Sequence, residues 1–227
     1  MRLSAIFLQV LFLVSIPVSQ AATEVLEDSN SNFIDQVNII CDTKVTPIIL
    51  KDNKKTTTHE KPVLAYYCSV SSHSKYKKLQ SMLNKKGLSV FICNTSEFFD
   101  YLNTRKTSNP VDSLSLVIVK NVAPDRLIRL LSGSPRFDYA ITNEMVVNLV
   151  KKWHRLHPLR IDCIYDGGVD IEILDSQLDA RKIVLELAQF DPYLVVVPET
   201  DTVAYKRRIE GMIDYIGSFK IVTLYWH

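Results

Sequence analysis

RIDCIYDGGVDIEIL, residues 160–174, is the stretch that most strongly indicates the fold of this 227-residue chain. Two β-rich runs flank Asp166-Gly167-Gly168, which is the composition of a tight β-hairpin turn. In the second run, apolar residues alternate with Asp170 and Glu172, so polar and apolar side chains leave opposite faces of the strand. This alternation is typical of an antiparallel sheet that helices cover on one face.

The sequence around this hairpin predicts an α+β unit over residues 137–227. Thr142 precedes an amphipathic helical pattern that includes Val146 and Trp153 and ends at Pro158, so Thr142 is the predicted N-cap. Two further helical patterns follow the hairpin, and the β-rich run FKIVTLYW closes the chain at residues 219–226. The predicted order is α-β-β-α-α-β with a mainly antiparallel sheet.

A second unit precedes it, over residues 61–136. VLAYYCSV (63–70), LSVFICN (88–94) and LSLVIVKNV (114–122) have the composition of strands. A helical pattern ending at Gly87 separates the first two, and Thr95 or Ser96 can cap a helix through Leu102. This order predicts a β-α-β-α-β unit with parallel pairing. The turn after the first strand lacks glycine, which excludes a dinucleotide-binding loop and a P-loop there.

The first 60 residues have a different composition. Residues 1–21 have a positive start at Arg2, an apolar stretch over Ala5–Val18 and the small-x-small sequence Ser19-Gln20-Ala21, which together predict a cleavable signal peptide. The apolar stretch is shorter than the ~20 residues of a membrane-spanning helix. Residues 22–60 are polar and predict a flexible leader with one edge strand. We therefore expect a soluble protein that is periplasmic or secreted.

Charge is nearly balanced over the whole chain but is unevenly distributed. The formal net charge is +2, which argues against a nucleic acid as partner. Lysines are concentrated between Lys51 and Lys86, whereas residues beyond Arg160 lean acidic. A solvated face explains the lysines, and an anionic-lipid surface as binding partner is an alternative.

None of the four cysteines lies in a C-x-x-C unit, so neither a zinc ribbon nor a thioredoxin-type motif is present. Cys68 and Cys93 lie on runs that we interpret as neighbouring strands, so a bridge between them is one prediction. The alternative is that the cysteines are buried free thiols. The full set is Cys41, Cys68, Cys93 and Cys163.

Three groups of residues are candidates for a site. Asp170 and Glu172 leave the same strand face and can divide the acid and base roles of a hydrolase, although a solvated sheet face has the same pattern. His154 and His157 can share a metal with Asp162 or Cys163, or can simply complement the end of a helix. The third group suits a protein-binding surface or an ordinary core and comprises Glu199, Asp201, Tyr205, Tyr215, Tyr225 and Trp226.

The carboxy-terminal unit also resembles a known family, the bacterial domain-of-unknown-function family 4253. The matching residues are Thr142 with Glu144, Trp153 to Pro158, the hairpin at Asp166, Phe190-Asp191-Pro192, Thr202, and Tyr225-Trp226-His227. The resemblance implies an α+β fold for residues 137–227 and names no activity.

Together these features predict an exported, non-catalytic binding protein without a cofactor. An immunity protein that neutralises a basic, secreted antibacterial toxin is the most specific form of this hypothesis, because the acidic carboxy-terminal unit can attract a basic partner. A hydrolase that uses Asp170 and Glu172 and a protein that binds anionic lipid surfaces are the alternatives.

Overall fold

The computed structural model describes residues 31–50, 62–95, 113–131, 141–190 and 202–225. The helices within these ranges are α1 (Ser31–Ile40), α2 (His73–Asn84), α3 (Pro124–Leu131), α4 (Asn143–Leu156), α5 (Ala180–Phe190) and α6 (Thr202–Phe219). The strands are β1 (Thr46–Leu50), β2 (Val63–Val70), β3 (Leu88–Asn94), β4 (Leu114–Lys120), β5 (Leu159–Tyr165), β6 (Gly168–Ile173) and β7 (Ile221–Tyr225). The predicted α+β class is confirmed.

All seven of these strands form one sheet, in the order β1-β2-β4-β3-β5-β6-β7. Neighbouring strands are antiparallel except β3 and β5, which are parallel and pair Ile92 with Cys163 and Asn94 with Tyr165. This parallel pair joins the two units that the sequence separates near residue 137. The two units therefore share one sheet.

The parallel pairing predicted for residues 61–136 is wrong. Strand β4 lies between β2 and β3 and is antiparallel to both. The strands nonetheless have long apolar runs, because helices cover this part of the sheet on both faces. Such runs are common in parallel strands, but they report burial on two faces and not strand direction. The helix predicted from Thr95 or Ser96 to Leu102 lies outside the described residues.

Two hydrophobic clusters lie on opposite faces of the sheet. On the inner face, helices α3 to α6 cover residues of all seven strands, from Ile48 on β1 to Leu224 on β7. On the other face, α1 and α2 cover apolar residues of β2, β3 and β4, such as Tyr66, Val90 and Ile118. On β5 to β7, alternate side chains are polar and point to the same side of the sheet as α1 and α2, the outer side.

Part of the predicted leader is ordered secondary structure. Helix α1 packs through Val37 and Ile40 against the apolar residues of β2, β3 and β4 in the second cluster, and β1 is an edge strand antiparallel to β2. The sequence reasoning anticipated the edge strand and missed the helix. Residues 22–30 and 51–60 of the leader lie outside the described residues.

A disulfide attaches α1 to the sheet. It joins Cys41, directly after α1, to Cys68 on β2, and Cys93 and Cys163 are free. The predicted Cys68–Cys93 bridge is wrong, because β4 separates β2 from β3 and the two cysteines pack in clusters on opposite faces. Backbone bonds support the junction, since the Asp42 amide donates to the Ser69 carbonyl at 2.8 Å.

The start of α4, the end of α2 and the turn between β5 and β6 lie where the sequence predicts them. The Thr142 hydroxyl accepts a hydrogen bond from the Met145 amide at 3.3 Å and caps α4. Gly87 and Gly167 have φ of 71° and 66°, which glycine adopts without a steric cost, where the chain leaves α2 and where it turns between β5 and β6. Among the described residues, no helix has the length and apolarity needed to cross a bilayer.

Candidate functional site

A β-bulge in β5 places an extra polar residue on the outer side of the sheet. Ile161 pairs with Ile171 and Cys163 with Asp170, so Asp162 is an additional residue between two regular pairs. Ile161 and Ile164 are both buried, while Asp162 and Cys163 are both partly exposed. We call the following side chains of β5 to β7 the outer face, all of them partly exposed except Tyr225, which is exposed: Arg160, Asp162, Cys163, Tyr165, Asp170, Glu172, Thr223 and Tyr225.

The Asp162 carboxylate is held by three side chains of α2. Its Oδ1 accepts hydrogen bonds from the Tyr76 hydroxyl at 2.8 Å and from the Lys77 ammonium at 2.8 Å, with the Gln80 amide at 3.4 Å. Burial raises the pKa of Asp162, but the bonds from Lys77 and Tyr76 outweigh it and leave the pKa below its usual value. Burial and the neighbouring Asp162 raise the pKa of Tyr76, so this phenol stays a donor. The network links α2 to the edge of the outer face.

We expect Asp162→Asn to destabilise the protein in a pH-dependent way. The folded pKa lies below the ordinary 3.8, so the charged carboxylate stabilises the fold above that pH and the contribution is lost as pH falls through the folded pKa. At neutral pH the loss should be about 1.5–3 kcal/mol, typical of bonds to a charged group. Urea unfolding at several pH values measures it, with exposed Asp214→Asn as control. A constant difference between wild type and Asp162→Asn down to pH 2 would contradict this assignment.

Asp170 lies at the centre of the outer face between hydroxyl groups. Its Oδ1 accepts a hydrogen bond from Thr223 at 2.6 Å and lies 3.4 Å from the Tyr165 hydroxyl. The Tyr165 ring lies across Gly168, and a Cβ atom at position 168 would be 2.0 Å from this ring. The centroids of the Tyr165 and Tyr225 rings are 5.6 Å apart. Burial, the bond to Tyr225 and the charge of Asp170 raise the pKa of Tyr165. A glycine at 168 thus lets two tyrosines lie together beside one carboxylate.

Asp170 and Glu172, the two carboxylates that the sequence singles out as an acid and base pair, lie on the same face of β6. Glu172 accepts a hydrogen bond from Arg160 Nε at 3.1 Å within an ion pair, so Asp170 and Glu172 share a strand face but have separate partners. Cys163 lies beside Asp170, and burial together with Asp170 raises the pKa of its thiol to about 12. The thiol is therefore protonated at neutral pH, and a nucleophilic cysteine needs the thiolate.

The two candidate metal ligands are not brought together with a third. His157 Nδ1 lies 2.8 Å from Asp175 Oδ2, while His154 lies at a cavity on the inner side of the sheet. The backbone amide of Gln177 and the ring of His157 lower the pKa of Asp175. Asp162 is on the outer face. Within the described ranges, no cluster of three His, Cys, Asp or Glu side chains has the arrangement of a metal site.

The predicted aromatic and acidic binding group is divided between two surfaces. Tyr225 belongs to the outer face and is 45% exposed, whereas Tyr205 and Tyr215 lie on α6, on the other side of the sheet, and are 43% and 49% exposed. Glu199, Asp201 and Trp226 lie outside the described residues. Helix α6 carries three basic residues, Lys206, Arg207 and Arg208, and two acidic residues, Glu210 and Asp214.

The basic region between Lys51 and Lys86 is only partly described. Its first four lysines lie at residues 51–61, outside the described residues. On α2, Lys75 forms an ion pair with Asp42 and Lys77 with Asp162. These two ammonium groups therefore contribute to the internal network of the fold as well as to surface charge.

The sequence analysis did not predict the bulge at Asp162, although a signal was present. In Leu159-Arg160-Ile161-Asp162-Cys163-Ile164-Tyr165 the alternation of apolar and polar residues is interrupted by the adjacent Asp162 and Cys163. A bulge restores the alternation after such a pair, and bulges often lie beside functional residues. The partners Tyr76 and Lys77 are more than 80 residues away and left no comparable signal.

No family model, no curated protein and no solved structure matches this chain. The resemblance of residues 137–227 to family 4253 stays a prediction.

Proposed function

We propose that this chain is an exported protein that binds another protein through the outer face. The observation that carries the proposal is the group formed by Asp170, Tyr165 and Tyr225. Aromatic side chains beside a charged group are frequent at the energetic centres of protein interfaces. The partly exposed tyrosines supply apolar contact area, and Asp170 supplies a charge whose bonds to Thr223 and Tyr165 fix its position.

The charge of this face favours a basic partner. Asp162, Asp170 and Glu172 provide three carboxylates, and two cations, Lys77 and Arg160, are paired with Asp162 and Glu172. Asp170 therefore contributes the excess negative charge of this group. A lysine or arginine of the partner can bind the carboxylate and lie against a tyrosine ring. A basic, secreted antibacterial toxin is the partner class that we favour, with this chain as its immunity protein.

Export has independent support from the cysteines. Disulfides persist in oxidising compartments such as the periplasm and the extracellular space, and Cys41–Cys68 lies after the proposed signal peptide of residues 1–21. We therefore expect the native protein to begin at Ala22. Mass spectrometry of its amino terminus tests this step, and a protein that retains Met1 would contradict export.

Affinity capture with matched variants tests the binding proposal. The mature wild type should retain a basic protein from the culture medium or periplasmic fraction at low salt. Asp170→Asn and Tyr225→Ala should each weaken this binding about tenfold or more, as expected for interface centres. Tyr215→Ala is the control, because Tyr215 has similar exposure but lies on α6.

Two outcomes would overturn the proposal. One is that no protein is retained at low salt, where charge attraction is strongest. The other is that Tyr215→Ala abolishes the interaction while Tyr225→Ala leaves it unchanged, which would place the interface on α6.

A further inference from the structure

A cavity of about 340 Å³ lies between the amino-terminal halves of β3 and β5. The ladder between these parallel strands begins at Ile92 and Cys163, so Ser89–Phe91 and Leu159–Ile161 precede the paired region. Residues of both segments line the cavity. The sheet is therefore open between these two segments, on the side that faces α3 and α4.

The walls of the cavity belong to the hydrophobic core. Phe91, Leu127, Leu159 and Ile161 line it, and all four are members of the inner cluster with at most 8% exposure. The cavity is a cleft that is about half open to solvent and not an enclosed void. The cavity volume falls within the roughly 300–1,000 Å³ of small-molecule pockets, which are mostly apolar with a few polar groups.

The polar side chains that line this cavity belong to Ser89, Asn121, His154 and Arg160. His154 of α4 is exposed, and Ser89 is partly exposed. Arg160 also lines the cavity, but its guanidinium is bonded to Glu172, so its charge is balanced. The imidazole of His154 can therefore supply the hydrogen-bond donor for an acceptor group at the mouth, with the Ser89 hydroxyl beside the apolar wall.

We propose that this cavity binds a small molecule with an apolar, preferably aromatic, body and one anionic head group. The body would contact Phe91, Leu127 and Ile161, and the head would accept a hydrogen bond from His154. The apolar walls of this site lie in the inner cluster; it shares Arg160 with the outer face, but the proposed ligand contacts do not include Arg160. The inference therefore does not depend on the proposed protein partner.

Two fluorescent probes of matched shape test the proposal on the mature protein. 8-Anilino-1-naphthalenesulfonate has an aromatic body and an anionic sulfonate, and N-phenyl-1-naphthylamine has the same body without the charge. Titration calorimetry should give one site for the sulfonate, with about tenfold higher affinity than for the neutral probe. Equal affinity for both probes, or no binding of either, would overturn the proposal.

Variants locate the site. Ser89→Phe places a ring in the cavity and should weaken binding of both probes about tenfold or more, while Ser218→Phe, at an exposed position of α6, should not. His154→Gln should remove the preference for the sulfonate, and exposed His73→Gln should retain it. Unchanged affinities in a folded Ser89→Phe protein would overturn the site. If circular dichroism shows that Ser89→Phe is unfolded, His154→Gln decides, and a retained sulfonate preference overturns the proposal.

Discussion

Trp153→Ala should lower the free energy of unfolding by roughly 3–5 kcal/mol, the range measured for large aromatic side chains removed from cores. Trp153 lies on α4 and is fully buried, and its indole Nε1 donates a hydrogen bond to Glu186 Oε2 of α5 at 2.9 Å. Removing the ring therefore leaves a cavity in the inner cluster and takes away one of the hydrogen-bond donors to Glu186, the other being Lys152. Urea unfolding of the mature protein at neutral pH measures the change.

Trp153→Phe separates the contribution of the buried aromatic ring from that of the hydrogen bond to Glu186. It keeps most of the apolar ring and loses the hydrogen bond to Glu186, so a smaller loss of about 1.5–3 kcal/mol is expected. Burial raises the pKa of Glu186, but the bonds from Trp153 and Lys152 outweigh it and leave the pKa below its usual value. A loss under about 1 kcal/mol for Trp153→Ala would show that the α4–α5 contact is not part of the stable core.

Removal of the Cys41–Cys68 disulfide should cost about 3.5 kcal/mol. The bridge closes a loop with a sequence separation of 27, and the chain-entropy relation for a loop of that length gives this value at 25 °C. The Cys41→Ser, Cys68→Ser double variant should therefore unfold at a clearly lower urea concentration than the wild type. Treatment of the wild type with dithiothreitol should produce a similar decrease.

Cys163→Ser is the matched control, since Cys163 is a free and partly exposed thiol. The urea concentration at which half of this variant is unfolded should stay close to that of the wild type. Peptide mapping should still recover the Cys41–Cys68 pair. Equal midpoints for the oxidised and reduced wild type would contradict a stabilising bridge. Mapping that pairs Cys68 with Cys93 would contradict the strand order itself.

The outer face and the cavity assign separate roles to the two sides of the sheet. The outer face presents Asp170 with Tyr165 and Tyr225, whereas the cavity lies among inner residues such as Phe91 and Leu127. Variants of one surface serve as controls for the other, because mutations at distant sites without shared partners act almost independently. Loss of protein binding with retained probe binding would therefore separate the two proposals.

The sequence by itself determined most of the local structure. Alternation along residues 168–173 predicted strand β6 with Asp170 and Glu172 on one face, and Thr142 predicted the start of α4. These features depend on backbone preferences and on burial patterns within one element, so neighbouring residues contain the information. The α+β class follows from the order of such elements.

Only the tertiary structure decided the strand order, the disulfide and the composition of the outer face. The position of β4 between β2 and β3, and the joining of β3 to β5, depend on contacts between distant segments. Those contacts direct Cys68 toward Cys41 and bring Tyr76 and Lys77 to Asp162. An apolar run records that a strand is buried but not which strand lies beside it, because either strand direction buries the same side chains.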